Sequence, residues 1–280
     1  MTAILLFPIA GNKAPGVELN EPSRMVIEQK VEMADKASKS VTEYIYENYE
    51  EEMEANFDLT PDIDYRIALG ELGYYKNDYL DQNINIRNGV LRFQSHHNLM
   101  VDGSFGKHSQ KTLQDRLTGK DFRFTDIIVE PPSQGKWIVI NKTKRILTLY
   151  QGKEVIDKYP IAQGKNSSLT PEGKFTVANK IVNPAWGGAG ISAPVPGGSS
   201  KNPLGYRWIG ISYKGGASIG IHGNNSPMSI GSNVSLGCVR MINSDVEKLF
   251  ELVELGIPVW IASNDKLETW GVYNESYTDK

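Results

Sequence analysis

The chain carries one cysteine, Cys238, and its neighbourhood holds the residue types that thiol chemistry needs. A thiol attacks a carbonyl only once it is ionised, and an ordinary pKa of about 8.5 leaves little thiolate at neutral pH. A nearby imidazole supplies the base and stabilises the resulting anion. Of four histidines, His96, His97 and His108 lie upstream of a change in sequence texture at Lys136. His222 is the one histidine that shares the later region with Cys238, so a nucleophilic Cys238 has one available base. Gly237 permits a tight turn in which its own amide and that of Cys238 converge on a developing oxyanion. Such donors contribute about 2.7–4 kcal/mol each. The segment between His222 and Cys238 is rich in Asn, Ser and Gly, which lets both side chains reach one cleft. The bland alternative is a buried thiol acting as a small hydrophobe beside a core histidine.

Other chemistries fit less well. A single cysteine excludes an intramolecular disulfide and a multi-cysteine zinc site. His96 and His97 point different ways on a helix and no HExxH-type spacing occurs, so no metal is expected. A net charge of −3 offers no basic field for nucleic acid. Gly187, Gly188, Gly190, Gly197 and Gly198 precede no helix start with Lys-Ser/Thr, which argues for a flap over the cleft rather than a phosphate loop.

The elements that must position these residues divide the 280-residue chain into more than one domain. Residues 1–20 contain the apolar run Ala3 to Ala10, which reads as a degenerate or truncated export signal or else a disordered arm. Residues 21–57 carry an apolar stripe at helical spacing and an acidic opposite face, predicting a helical spacer. Residues 58–118 read as a compact module of three short helices. The first runs Ile63 to Tyr75 and ends at Gly73, the second resumes at Val90 to His97, and the third covers Ser109 to Leu117. Residues 119–135, with Pro131, Pro132 and Gly135, form a linker. From 136 to 264 the texture is short β-rich runs between turn residues, with one flanking helix. That helix is signalled by a capping box at Ser244-x-x-Glu247 and by Gly256 and Pro258 beyond its end. Residues 265–280 form a tail. The fold class expected is multi-domain α+β, a small helical module before a mainly β domain.

Two resemblances follow from motifs. The run FQSHHNLMVDGSFGKHSQKTL, preceded by ALGELGYY, resembles the type 1 peptidoglycan-binding domain. The segment Lys136 to Ser263 resembles the catalytic domain of the YkuD-type L,D-transpeptidases. Its signature appears as His222-Gly223 and Ser235-Leu236-Gly237-Cys238-Val239-Arg240. Gln163-Gly164 with Thr170-Pro171-Glu172-Gly173-Lys174-Phe175, Asn183-Pro184-x-Trp186 and Asn202-Pro203-Leu204-Gly205-x-Arg207-Trp208 also match. Many members have His where this chain has Leu236, and since members without that His exist and Leu cannot take a proton, the departure strengthens the assignment of the base to His222.

The resemblance implies a cell-wall enzyme working outside the cytoplasm on peptidoglycan stem peptides and glycan, with a role in wall organisation and cell shape. Cys238 would form a thioester with the third residue of a tetrapeptide stem, releasing D-Ala, and a neighbouring stem's amine would complete a 3→3 cross-link. His222 would serve as base and acid, the Gly223 carbonyl would orient it, and the Gly237 amide would hold the oxyanion. Arg240, Ser235, Asn224 and Trp208 would contact substrate, although Arg240 could instead pair with Asp245 or Glu247. No cofactor is implied. The alternatives are an L,D-carboxypeptidase using the same thioester, or a non-catalytic wall-binding protein.

Overall fold

The computed structural model describes residues 64–118, 122–166 and 168–276. The expected export segment and acidic spacer, 1–20 and 21–57, lie outside the described residues. Three helices come first: α1 (Tyr65–Glu71), α2 (Gln82–His96) and α3 (Lys107–Thr118). α2 starts well before the expected position near Val90. Asp81 caps it by accepting from the Asn83 amide, and Asn85 folds back onto both backbone groups of Tyr79 at 2.8 and 2.9 Å. Asparagine-rich sequence reads as loop, yet these side chains find partners that let the helix begin there. Gln94 explains the spacing between its own motif and the Asp102-Gly103 turn. Its Oε1 accepts from both turn amides, at 3.0 and 2.9 Å, while its Nε2 donates to Asp102.

The strands are β1 (Asp126–Ile128), β2 (Lys136–Asn141), β3 (Ile146–Gln151), β4 (Glu154–Gly164), β5 (Gly173–Val182), β6 (Arg207–Tyr213), β7 (Gly216–His222), β8 (Asn233–Ser235), β9 (Val239–Met241), β10 (Pro258–Ala262) and β11 (Val272–Asn274). Their order is β3-β2-β10-β5-β6-β7-β9-β4, and β3 also pairs with β4, so the sheet closes into a barrel. Closure removes the exposed edges that would otherwise recruit other chains. Alternate residues point inward, including Ile138, Leu149, Ile161, Ile209, Ile221 and Val239. α4 (Asn243–Leu252) packs Val246, Leu249 and Phe250 against this core.

The capping box expected for α4 does not form. Ile242 takes the cap position without a side-chain bond, and Ser244 lies inside the helix, donating to Asp78. A second helix, α5 (Asn264–Thr269), stands beside the one expected, with Leu267 buried against Trp260 and Trp137. β11 pairs antiparallel with β1, so segments read as tail and linker join at one ribbon.

The helices and the barrel belong to one compact unit. Leu91 and Val101 share a buried cluster with Ile146, Ala162, Ile230 and Ile242 of the β region. Arg92 of α2 reaches Asp245 of α4 through three contacts of 3.0–3.2 Å and Asp78 at 2.8 Å. Burial opposes its charge, and the two aspartates outweigh that, raising its pKa.

Candidate active site

Strand register brings the predicted residues together. Across β6, β7 and β9, Trp208 pairs with His222 and His222 pairs with Arg240. Residue alternation sends Ile209, Ile221 and Val239 into the core, so this row faces the opposite side. Cys238 immediately precedes β9, with its thiol beside the Gly220 backbone and the Arg240 charge. One strip outside the barrel core thus carries Trp208, His222 and Arg240, and Cys238 leads into the strand of Arg240.

The imidazole is fixed from two directions. Its Nδ1 lies 2.7 Å from the Gly223 carbonyl, an acceptor, so Nδ1 carries the proton and Nε2 keeps its lone pair. The Trp208 indole stacks on the ring at 5.7 Å between centroids and 16° between planes. Trp208 is itself anchored through its Nε1–H to Asn179 Oδ1 at 3.0 Å. The indole can lie flat because the residue two further along its own strand, Gly210, and that residue's partner on β7, Gly220, are both glycines. A Cβ at Gly220 would sit 2.6 Å from the Trp208 ring, and one at Gly210 would meet Asn179 and the indole nitrogen. Trp208 is half-buried, and its contact in this structure is with the histidine.

The loop after His222 is pinned as well. Gly205 approaches Gly223 so closely that a Cβ at Gly205 would lie 2.9 Å from the Gly223 Cα. Asn243 Oδ1 accepts from the Asn224 amide and Asn243 Nδ2 donates to the Asn224 carbonyl. Asn224 is buried, donates to the Met241 carbonyl and accepts from the Ser226 amide. Sequence suggested a contact with substrate; in this structure each end of the Asn224 amide holds the loop.

The turn before Cys238 differs from expectation in one respect. Gly237 has φ +137°, which favours glycine, and a Cβ there would meet the Leu169 carbonyl at 2.6 Å. The turn itself is as expected, but the Gly237 amide donates to Ser235 Oγ at 3.0 Å. It is therefore not aimed at a cleft. Ser235 is a turn-former, since its hydroxyl also donates to the Cys238 carbonyl at 2.6 Å. Thr170 had been given no role from sequence. Its buried hydroxyl donates to the Gly237 carbonyl and accepts from the Gly164 amide, both at 2.9 Å, locking the cysteine turn to the end of β4. The position of Thr170 in its motif was the available signal.

Electrostatics favour an uncharged pair at rest. Burial lowers the His222 pKa to about 4, the Gly223 carbonyl opposes that, and Arg240 adds to it. Burial pushes the Cys238 thiol up, against a hydrogen bond from the Gly220 backbone and the positive charge of Arg240. Arg240 makes no ion pair among the described residues, and Asp245 is engaged by Arg92 and Lys76. The guanidinium is half-buried beside the thiol, without a carboxylate.

The family model of the YkuD L,D-transpeptidase catalytic domain matches residues 135–261. YqjB of Bacillus subtilis strain 168, whose name assigns it to the L,D-transpeptidases, is 40% identical over 132 residues, 46% of this chain and 73% of that protein. YkuD of the same strain, likewise named, is 38% identical over 150 residues, 54% of this chain and 80% of that one. A crystal structure of an L,D-transpeptidase from Xylanimonas cellulosilytica aligns with 72% of this chain and 93% of its own, at 21% identity and TM-score 0.49. The chain belongs to the YkuD family of L,D-transpeptidases.

Proposed function

We propose that the protein is a cysteine L,D-transpeptidase that joins peptidoglycan tetrapeptide stems through 3→3 cross-links. The observation that carries this reading is the fixed imidazole of His222, paired with Arg240 on the strand that Cys238 leads into and with its proton on Nδ1, which leaves Nε2 to take another. Cys238 Sγ attacks the carbonyl between the third and fourth stem residues while its proton passes to Nε2. The intermediate collapses, the proton returns to the leaving amine, and D-Ala departs from a thioester on Cys238. The side-chain amine of a neighbouring stem attacks that thioester, and the sulfur leaves with the proton.

Burial lowers the His222 pKa and raises that of Cys238, so His222 is assigned the part of a true general base rather than half of a preformed ion pair. With the Gly237 amide engaged, the oxyanion donor assigned is the amide of Cys238 itself. Arg240, lacking a partner carboxylate, is placed to receive one from the stem in its planar fork. The three helices, with the Gln94-braced turn at Asp102, are assigned to glycan binding, and the site of action to the wall outside the cytoplasm. Among the described residues no helix is long and apolar enough to cross a membrane.

Incubation with disaccharide-tetrapeptide, followed by chromatography and mass analysis of the products, tests the reaction class. Free D-Ala together with a cross-linked dimer is the expected result. Free D-Ala with tripeptide alone would replace the assignment by an L,D-carboxypeptidase, since water would then be the acceptor.

A further inference from the structure

We propose that Arg87, on α2 outside the catalytic barrel, is a positioning residue for the loop that joins His222 to Cys238. The inference rests on the assignment of those two residues as the catalytic pair. That loop has its midpoint at Ile230, which is fully buried and belongs to the cluster shared with Leu91 and Val101. Arg87 Nη2 donates to the Ile230 carbonyl at 2.8 Å and to the Asp102 carbonyl at 3.3 Å. One guanidinium nitrogen therefore ties the active-site loop to the turn at Asp102-Gly103.

The surrounding contacts show how tight this junction is. Gly231 has φ +85°, and a Cβ there would lie 2.8 Å from Leu91 Cδ2 and 3.4 Å from the Asp102 backbone. A Cβ at Gly103 would sit 2.9 Å from Arg87 Nε. From the barrel side the Gly231 amide donates to the Ile161 carbonyl at 3.0 Å. The loop is clamped between β4 and α2.

Arg87 is also unusual in its partners. It makes no ion pair among the described residues, and its buried Nη1 has no hydrogen-bond partner there. Half-buried guanidinium groups ordinarily find a carboxylate. Here the charge is spent on two carbonyls, one of them in the loop that carries the reacting pair. A small displacement of reacting groups can cost about 100-fold in rate.

The test uses the full chain, with disaccharide-tetrapeptide as substrate, and compares wild type with Arg87→Lys and Arg87→Gln. Lysine keeps the charge, but its stem is shorter than arginine's, so the ammonium does not reach the place that Nη2 takes between the two carbonyls; glutamine keeps neither charge nor reach. The expected order of kcat is wild type, then Arg87→Lys down about 3- to 10-fold, then Arg87→Gln down about 10- to 100-fold. KM should stay within about threefold, because no substrate contact is removed. A merely structural role would lower the active fraction and leave kcat per titratable Cys238 thiol unchanged. Unchanged kcat per thiol in Arg87→Lys overturns the proposal, and that holds even if Arg87→Gln does not fold. A wild type that never acylates would instead remove the catalytic assignment itself.

Discussion

His222→Ala slows acylation of Cys238 by about 10²- to 10⁴-fold, the span expected for loss of a positioned general base. Several features place this substitution among the most damaging available. The Gly223 carbonyl fixes the tautomer and Trp208 fixes the ring plane, so the substitution removes a base that is already oriented. Leu236, next to the cysteine turn, has no ionisable atom. Burial also holds the thiol above its ordinary pKa, so unassisted ionisation is rarer than in a free cysteine. The pH dependence carries the same signature. His222 is competent while neutral, and its pKa of about 4 keeps it neutral well below the usual histidine range. The wild-type acylation rate should therefore hold from neutral pH to about 5 and fall as the ring protonates near 4. In His222→Ala that limb should vanish. Stopped-flow or quenched acylation rates across this range check both statements. A limb near pH 6.5 in the wild type would show the histidine to be solvated and the neutral pair to be wrong.

The same shift has a consequence for stability, and its sign follows from which state binds the proton. The folded pKa lies below the unfolded one, so below about pH 6.5 the unfolded chain takes up a proton that the folded chain refuses. The contribution of His222 is present above the unfolded value and is lost as pH falls toward 4.

Asp245→Ala lowers the free energy of unfolding by about 3–5 kcal/mol, the usual result of leaving one member of a buried ion pair without its partner. Arg92 and Asp245 side chains are 5% and 2% exposed, so water cannot replace the lost carboxylate. Asp78 remains at 2.8 Å and places the effect toward the lower end. Asp245 also lies in the first turn of α4, where a negative charge suits the helix dipole. Urea denaturation followed by tryptophan fluorescence measures the loss, and the melting temperature should drop by roughly 6–12 °C. A change below about 1 kcal/mol would mean that the junction between α2 and α4 is open to water.

Much of this was legible in the sequence, and the reasons are local. The strands from Trp137 to Ala262 announce themselves because each is a short apolar or alternating run between turn residues. Cys238 and His222 stand out through scarcity, as one cysteine and one histidine in the same region. What stayed hidden depends on partners distant in sequence. Arg92, Asp78 and Asp245 read as ordinary surface charges until α2 meets α4. Ser244 fits a capping box by spacing, but its hydroxyl is claimed by Asp78, which lies 166 residues away. The start of α2 was obscured by asparagines whose side chains bond back to Tyr79. At the site, Gly237 was rightly read as a turn-former, while the direction of its amide depended on a hydroxyl two residues earlier. Asn224 shows the same limit, since a buried loop amide and a substrate ligand look identical in one dimension.

Intact-protein mass spectrometry after brief exposure to disaccharide-tetrapeptide tests the thioester on Cys238 most directly. Wild type should gain the mass of the stem fragment less D-Ala, and the gain should be removed by hydroxylamine and be absent from Cys238→Ala. An equal mass gain in Cys238→Ala, or turnover by that variant, would contradict a mechanism through this thiol.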